Sequence, residues 1–370
     1  MKLNFETDFT SIQKRIESID PIQYGKTRNY INGGVTYLSP YISRGVISTK
    51  QVLKSVLDRG FELSEIQPFV KELAWRDYFQ RVWQERNINA DIKQRQEKVS
   101  HFEIPLQLIK CKTGITGIDN AIKTLYETGY MHNHCRMYTA SVACNIAQSH
   151  WKTPAQWMYY HLLDGDWASN ACSWQWVAGS NSGKKYYANQ ENISKYTGTP
   201  AQNSFLHVGY EEMESMGIPE VLKETVIFDA QTVLPESNEV TIDKELPTFI
   251  YNYYNLDPLW HADQKGNRIL LLEPEIFRQY PISQLCVNFM LNVSRNIPDI
   301  QIFVGSFELF QTQNQTEEIY FKEHPLNAHY KGIEESRDWI SDKVKGYYPS
   351  FFAYWKVLEK RLPVPKGGAV

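Results

Sequence analysis

The sequence predicts a mainly α-helical protein with a smaller α/β domain at its C-terminal end. Apolar residues recur every three or four positions in the first half. Phe9, Ile12, Ile16 and Ile19 do so within 6–20, and Ile66, Phe69, Val70, Leu73, Ala74 and Phe79 within 64–86. Past residue 245 the pattern becomes short apolar runs at 249–254, 269–272 and 300–304, with a helical stretch at 281–293. Between these halves, 206–245 loses aromatic density, gains acids such as Glu211, Glu212, Glu214 and Glu224, and ends in a linker over 235–245. The expected division is a helical domain at 1–205, a linker at 206–245, and a small α/β domain at 246–370 with some parallel pairing.

Composition narrows the function classes. The 370 residues are 42% hydrophobic and 22% charged, as in soluble globular proteins. No run of about 18 apolar residues exists, so no membrane span is expected. The start, Met1-Lys2-Leu3-Asn4-Phe5-Glu6, lacks the apolar core of a signal peptide. A net charge of −3 is not that of a broadly basic DNA binder, so any DNA contact must be a local patch. Five scattered cysteines without a C-x-x-C pair favour reduced thiols in a cytoplasm over disulfides or a zinc site.

In chain order, the first helix ends at Asp20-Pro21, and Tyr24 follows. Gly33-Gly34-Val35-Thr36-Tyr37-Leu38-Ser39-Pro40-Tyr41 combines a glycine pair, hydroxyls and a following helix, which suits a phosphate site. On the helix at 64–86, Glu72, Trp75 and Arg76 share a face. That face is either a salt bridge beside a core tryptophan or a substrate surface. A helix runs from Thr116 to near Gly129, and another begins at 130–137. Asn133 and Met137 lie one turn apart on it, as do His132 and Arg136. Arg136 has the planar fork that matches a buried carboxylate. His132 and His134 point to different helix faces, so no metal is expected there. The helix ends at Trp151 and the next starts near Pro154.

The densest stretch is 164–176, Asp-Gly-Asp-Trp-Ala-Ser-Asn-Ala-Cys-Ser-Trp-Gln-Trp. If buried, Asp164 and Asp166 need cationic or N–H partners. Trp174 and Trp176 bring flat aromatic surfaces to the same place. Such a site suits a large planar heterocycle with N–H edges, and a flavin is one. The loop at 178–185 carries Lys184 and Lys185 and reads equally as a DNA-backbone contact or a solvated loop.

The run at 164–176 closely resembles the flavin-binding signature of the DNA photolyase and cryptochrome family. Leu38-Ser39-Pro40-Tyr41, Glu72-Leu73-Ala74-Trp75-Arg76-Asp77 and the Thr-Gly-Ile-Thr-Gly-Ile-Asp to Tyr-Met-His-Asn stretch at 113–133 match it in the expected order. Together they cover roughly residues 20–200. The resemblance implies an all-helical domain holding FAD. It places Tyr24, Thr36, Leu38, Ser39, Arg76 and Asn133 among the FAD contacts. It pairs Arg136 with Asp164 near the ring system, gives Asp166 the ribityl or ring N–H side, and sets Asn170 near the flavin N5. Val35-Thr36 stands where the family usually has Thr-Ser, so one phosphate-directed hydroxyl is missing.

The resemblance also implies a substrate face of Glu72, Trp75, Asn133, Met137 and Trp176, as in enzymes that repair cyclobutane pyrimidine dimers. The six-four photolyases carry histidines at the positions of Asn133 and Met137. His134 stands where a basic residue is usual. Trp174 and Trp151 match the two electron-transfer tryptophans nearest the flavin, but 97–102, where a third is expected, has none, so the third step falls to another aromatic such as Trp157, Trp167 or a tyrosine, or photoreduction is weak. The implied function is light-driven repair of damaged DNA, with single-stranded DNA expected as substrate. The alternative is a cryptochrome-like photoreceptor that binds FAD and signals to a protein partner, and a weaker one is a flavin-binding relic. The family's antenna domain precedes the flavin domain, whereas here α/β material follows it. The usual N-terminal antenna domain is therefore expected to be absent, and 246–370 to be a permuted, shortened relative of it.

Overall fold

A computed structural model describes residues 3–200, 203–236 and 239–362. The chain forms two compact units. One comprises Met1–Ile22, Thr36–Glu85 and Gln231–Val370, and the other Gln23–Val35 and Arg86–Ala230. This partition cuts across the sequence-based boundary at residue 205: most of the first 85 residues cluster with the α/β segment. The chain is helical with a parallel five-stranded sheet, so mainly α holds only in part.

In the first unit the sheet consists of β1 (Thr248–Tyr251), β2 (Asn267–Leu272), β3 (Gln301–Val304), β4 (Ile319–Lys322) and β5 (Ile333–Glu335). The order is β3-β2-β1-β4-β5, and every pair is parallel. Ile250 sits opposite Ile269 on one side and Phe321 on the other. All residues of β1 and β2 are buried, which is why these strands read as unbroken apolar runs. Helices Pro274–Gln279 and Gln284–Ser294 cross from β2 to β3, and Phe307–Asn314 crosses from β3 to β4. Ile269, Leu271, Phe303, Phe310 and Phe321 form the core of this layer.

Strand order reverses at β1, the position where open α/β sheets usually take a ligand beyond the strands' carboxyl ends. Here side chains of the same unit stand there. The fully buried Arg44 lies over the Tyr253 ring at 3.3 Å, and Trp83 meets His324 edge-on at 5.0 Å. Gly45 (φ +65°) permits this approach, because a Cβ there would sit 2.5 Å from Tyr254 O.

The helix Gln67–Glu85 has the apolar stripe that its sequence predicts, but its polar residues Asp77, Gln80 and Arg81 are buried too. The segment at 337–351 covers them. Ile340 N–H donates to Asp77 Oδ2 at 2.8 Å, Arg337 Nη1 to Gln80 Oε1 at 2.6 Å, and the Arg81 guanidinium lies 3.5 Å from the Trp339 ring centre. Asp77 and Gln80 thereby gain hydrogen-bond partners, and Arg81 gains an aromatic face while its Nη1 donates to Gln84 Oε1 at 3.0 Å.

The second unit is helical, apart from a two-residue antiparallel pair at Ile104–Pro105 and Thr225–Val226. Its centre is the helix Trp167–Ala178, packed on Asn133–Ser141 and Lys152–His161. Asn133–Ser141 continues into a π-helical turn, Val142–Ile146, and stops there, short of Trp151. Gln148 then takes a left-handed conformation (φ +59°) and Ser149 bridges to His101, so Trp151 enters from a bend. Among the described residues no helix is long and apolar enough to cross a membrane.

Candidate functional site

In the second unit the site is assembled by one turn of helix and one tight loop. The helix at Asn133–Ser141 presents Arg136, whose Nη2 donates to both carboxylate oxygens of Asp164 at 3.0 and 2.9 Å. Its Nε donates to Met131 O at 2.8 Å, which fixes the guanidinium plane. The Asp164 side chain is only 3% exposed, so Arg136 supplies the counter-charge that a buried carboxylate requires. Two residues on, Asp166 caps the helix Trp167–Ala178, its Oδ2 accepting from Ser169 N–H at 3.2 Å and Ser169 Oγ at 2.5 Å. Asn170 is buried and donates through Nδ2 to Ala155 O at 2.8 Å, which ties it to the helix Lys152–His161.

On the same helical turn as Arg136, the exposed Asn133 brings Nδ2 to 4.0 Å from Met137 Sδ. His132 and His134 flank this pair. Burial pushes both imidazoles down to about 4, helped at His132 by His134 and Arg136 and at His134 by Arg28. Both are therefore neutral near pH 7, and His134 does not replace the basic residue that is usual beside the asparagine. Among the described residues no three His, Cys, Asp or Glu side chains gather as a metal site.

Tyr24 lies half-buried on the helix Pro21–Thr27. The glycine pair after it serves packing. A Cβ on Gly33 would sit 2.0 Å from Thr27 O, so only glycine fits. Gly33 N–H donates to Tyr30 O at 2.9 Å and Gly34 N–H to Thr27 Oγ1 at 2.8 Å. Both glycine N–H groups are thus taken up within this loop.

Trp174 and Trp151 are buried, and Trp176 is 41% exposed beside Tyr186, ring centres 5.6 Å apart. The indole N–H of Trp151 donates to Asp91 Oδ1 at 2.8 Å. Sequence reasoning missed Asp91. It lies in an irregular loop with no periodic or motif signal, and only the fold brings it to Trp151.

The first unit holds the remaining candidates. Thr36 and Ser39 are half-buried, and Leu38 is buried at the start of the short helix Ser39–Ser43. Thr36 Oγ1 accepts from Leu38 N–H at 3.4 Å across Tyr37, which takes φ +54°. Arg76 Nη1 donates to Ser43 Oγ at 2.9 Å, so this stretch is tied to the helix Gln67–Glu85. Glu72 is half-buried. Trp75 is also half-buried, and Phe351 from the helix Phe351–Leu358 lies flat on its ring.

The donor set fits the ring of a flavin: two acceptor carboxylates, one of them charge-balanced, and a buried amide, all grouped around one helix start. Residues 69–200 match the family model described as the FAD binding domain of DNA photolyase. Over that stretch the chain is similar to the FAD-binding domain of DNA photolyases. Its matched domain is an FAD-binding domain, and FAD is its cofactor. The chain is 31% identical over 153 residues to a deoxyribodipyrimidine photo-lyase of Alkalihalophilus pseudofirmus, covering 39% of this chain and 31% of that protein. It is 28% identical over 223 residues to one of Vibrio cholerae, covering 56% of this chain and 48% of that protein. The chain thus spans less than half the length of each. Among solved structures, a class III photolyase from Agrobacterium tumefaciens is similar at 25% identity and TM-score 0.43, covering 51% of this chain and 42% of that one.

Proposed function

We propose that this chain performs flavin-dependent, light-driven repair of cyclobutane pyrimidine dimers in single-stranded DNA. One observation carries the reading. A single helical turn bears both Arg136, clamped on the buried Asp164, and the outward pair Asn133 and Met137. The turn can therefore serve the cofactor on one side and a substrate on the other. When bound and reduced, FAD supplies the electron that opens the dimer.

In this reading Asp164 and Arg136 orient the ring, with Asp166 and Asn170 as further polar partners. Tyr24, Thr36, Leu38, Ser39 and Arg76 hold the rest of the cofactor. Asn133 and Met137 meet the lesion, Trp176 offers an exposed wall for a base, and Glu72 accepts from the base edges. Trp174 and Trp151 carry electrons. A single strand is favoured because its bases are already unpaired and the chain's net charge of −3 offers no broad hold on a duplex. The five free cysteines suit a cytoplasmic protein.

A second reading, a cryptochrome-like photoreceptor, is favoured by the Phe351 ring on Trp75, which takes a face that a flipped base would use. Blue-light treatment of an irradiated oligonucleotide with the flavin-loaded, pre-reduced protein separates the two. Loss of dimers supports repair, and intact dimers support the photoreceptor.

A further inference from the structure

We propose that Asp91 is the proton acceptor for oxidised Trp151, and that the light-driven electron route of this chain ends at Trp151. The proposal rests on the reading that Trp174 and Trp151 carry electrons. Trp151 is fully buried, and its Nε1–H donates to Asp91 Oδ1 at 2.8 Å. The loop that carries Asp91 grips Trp151 a second time, since Gln96 Oε1 accepts from the Trp151 backbone N–H at 2.8 Å. Gln96 N–H in turn donates to Asp91 Oδ2 at 3.0 Å, which fixes the carboxylate. The Asp91 side chain is 18% exposed, so a proton placed on it has a way to water, and His150 Nε2 lies 3.8 Å from its Oδ1.

The neighbouring aromatics do not offer a better end point. Trp167 has its ring centre 6.5 Å from that of Trp151, but it is fully buried and its Nε1–H donates to the amide oxygen of Asn89 at 2.8 Å. A neutral amide takes no proton from an indole. Phe102 and His150, the other rings along this edge, are much harder to oxidise than tryptophan.

Loss of one electron makes an indole N–H about as acidic as a carboxylic acid, so a hydrogen-bonded carboxylate can take its proton. The step balances. With FAD bound, Trp174 would be the residue that donates an electron to it under light, and Trp151 would pass one electron to oxidised Trp174, restoring it. The Trp151 N–H bond breaks and its proton forms an O–H bond on Asp91 Oδ1. What remains is a neutral indolyl radical at Trp151 and a carboxylic acid at Asp91. The vacancy is held there because returning it needs the proton back. This accounts for a route that works without a tryptophan at 97–102.

The test is flash absorption spectroscopy of flavin-loaded wild type, Asp91→Asn, Asp91→Glu, Trp151→Phe and Trp167→Phe. Wild type should show the neutral tryptophan radical band. Asp91→Asn keeps an acceptor oxygen but no base, and should show the cation band instead. Its radical should live ~100-fold less long, the low end of what a positioned acid–base group contributes. Asp91→Glu should restore the neutral band. In flavin-free protein, Asp91→Asn should shift the Trp151 indole N–H resonance while the melting transition stays cooperative, at a lower temperature because Gln96 N–H then faces an amide NH2, which shows that the hydrogen bond was altered in a folded chain. A neutral, long-lived radical in Asp91→Asn overturns the proposal, as does its loss in Trp167→Phe. If Trp151→Phe keeps the full wild-type signal, the electron-transfer reading itself fails.

Discussion

Phe351 lies flat on Trp75, with ring centres 3.7 Å apart and planes inclined by 10°. That is stacking distance, and Phe351 is buried while its neighbour Phe352 is 71% exposed. Tyr78 meets the same tryptophan edge-on at 5.7 Å, and Phe79 stands 5.1 Å away. A base that is to stack on this face of Trp75 must first displace Phe351. Base stacking on one aromatic is worth about 1–3 kcal/mol, comparable with what the displaced contact returns. Phe351→Ala should therefore tighten binding of a dimer-containing single strand by roughly 10-fold, the equivalent of about 1.4 kcal/mol. The melting temperature should fall, because the ring is buried. Fluorescence anisotropy with a labelled oligonucleotide checks this. Unchanged affinity in a folded variant would mean that Trp75 is not part of the binding surface.

Asp164→Ala leaves Arg136 beside an empty acceptor. Removing one partner of a buried ion pair costs about 3–5 kcal/mol, and the lower end applies because the Arg136 side chain is 22% exposed. The variant should melt earlier and lose most of its flavin. Flavin-to-protein absorbance ratios and thermal melts measure both. Wild-type values for both would remove Asp164 from the cofactor site.

Trp174→Phe keeps most of the buried apolar bulk but replaces an oxidisable ring with one far harder to oxidise. Light-driven flavin reduction should slow by an order of magnitude or more, while flavin content changes little. Photoreduction at the wild-type rate would move the electron route off Trp174.

Acid should destabilise the fold through its histidines. His132 and His134 are depressed to about 4 in the folded state, chiefly by burial, against about 6.5 in an unfolded chain. Between those values the unfolded state binds more protons, so stability falls as pH drops from about 6.5 towards 4. Urea unfolding at several pH values should show this slope, and His132→Asn should flatten it. A slope unchanged in the variant would place the acid sensitivity elsewhere.

How far the sequence discloses the molecule depends on the range of the interactions involved. The runs at 249–254 and 269–272 are legible because strands buried on both faces need unbroken apolar residues, and the edge run at 300–304 shows through Ile302, Phe303 and Val304 although only Phe303 is buried. β4 is hidden behind the polar stretch at 311–318. β5 is an edge strand with two glutamates, which protects an exposed edge but hides it from pattern reading. The helix at 64–86 is legible by its period. The burial of Asp77, Gln80 and Arg81 is not, because their partners at 337–340 lie over 250 residues away. The contact of Arg136 with Asp164 could be anticipated from charge and resemblance. Asp91 and Phe351 could not, because neither lies in a motif and only the fold sets them beside Trp151 and Trp75.

The most direct measurement of the central claim is dimer content in an irradiated single-stranded oligonucleotide after blue light, with pre-reduced, flavin-loaded protein. Cyclobutane dimers should disappear in the light and persist in the dark. Six-four products should persist in both, since Asn133 supplies no acid–base group for that lesion. Glu72→Ala should lower the yield without loss of flavin. Cyclobutane dimers left intact in the light by the loaded protein would contradict repair and leave the photoreceptor reading in its place.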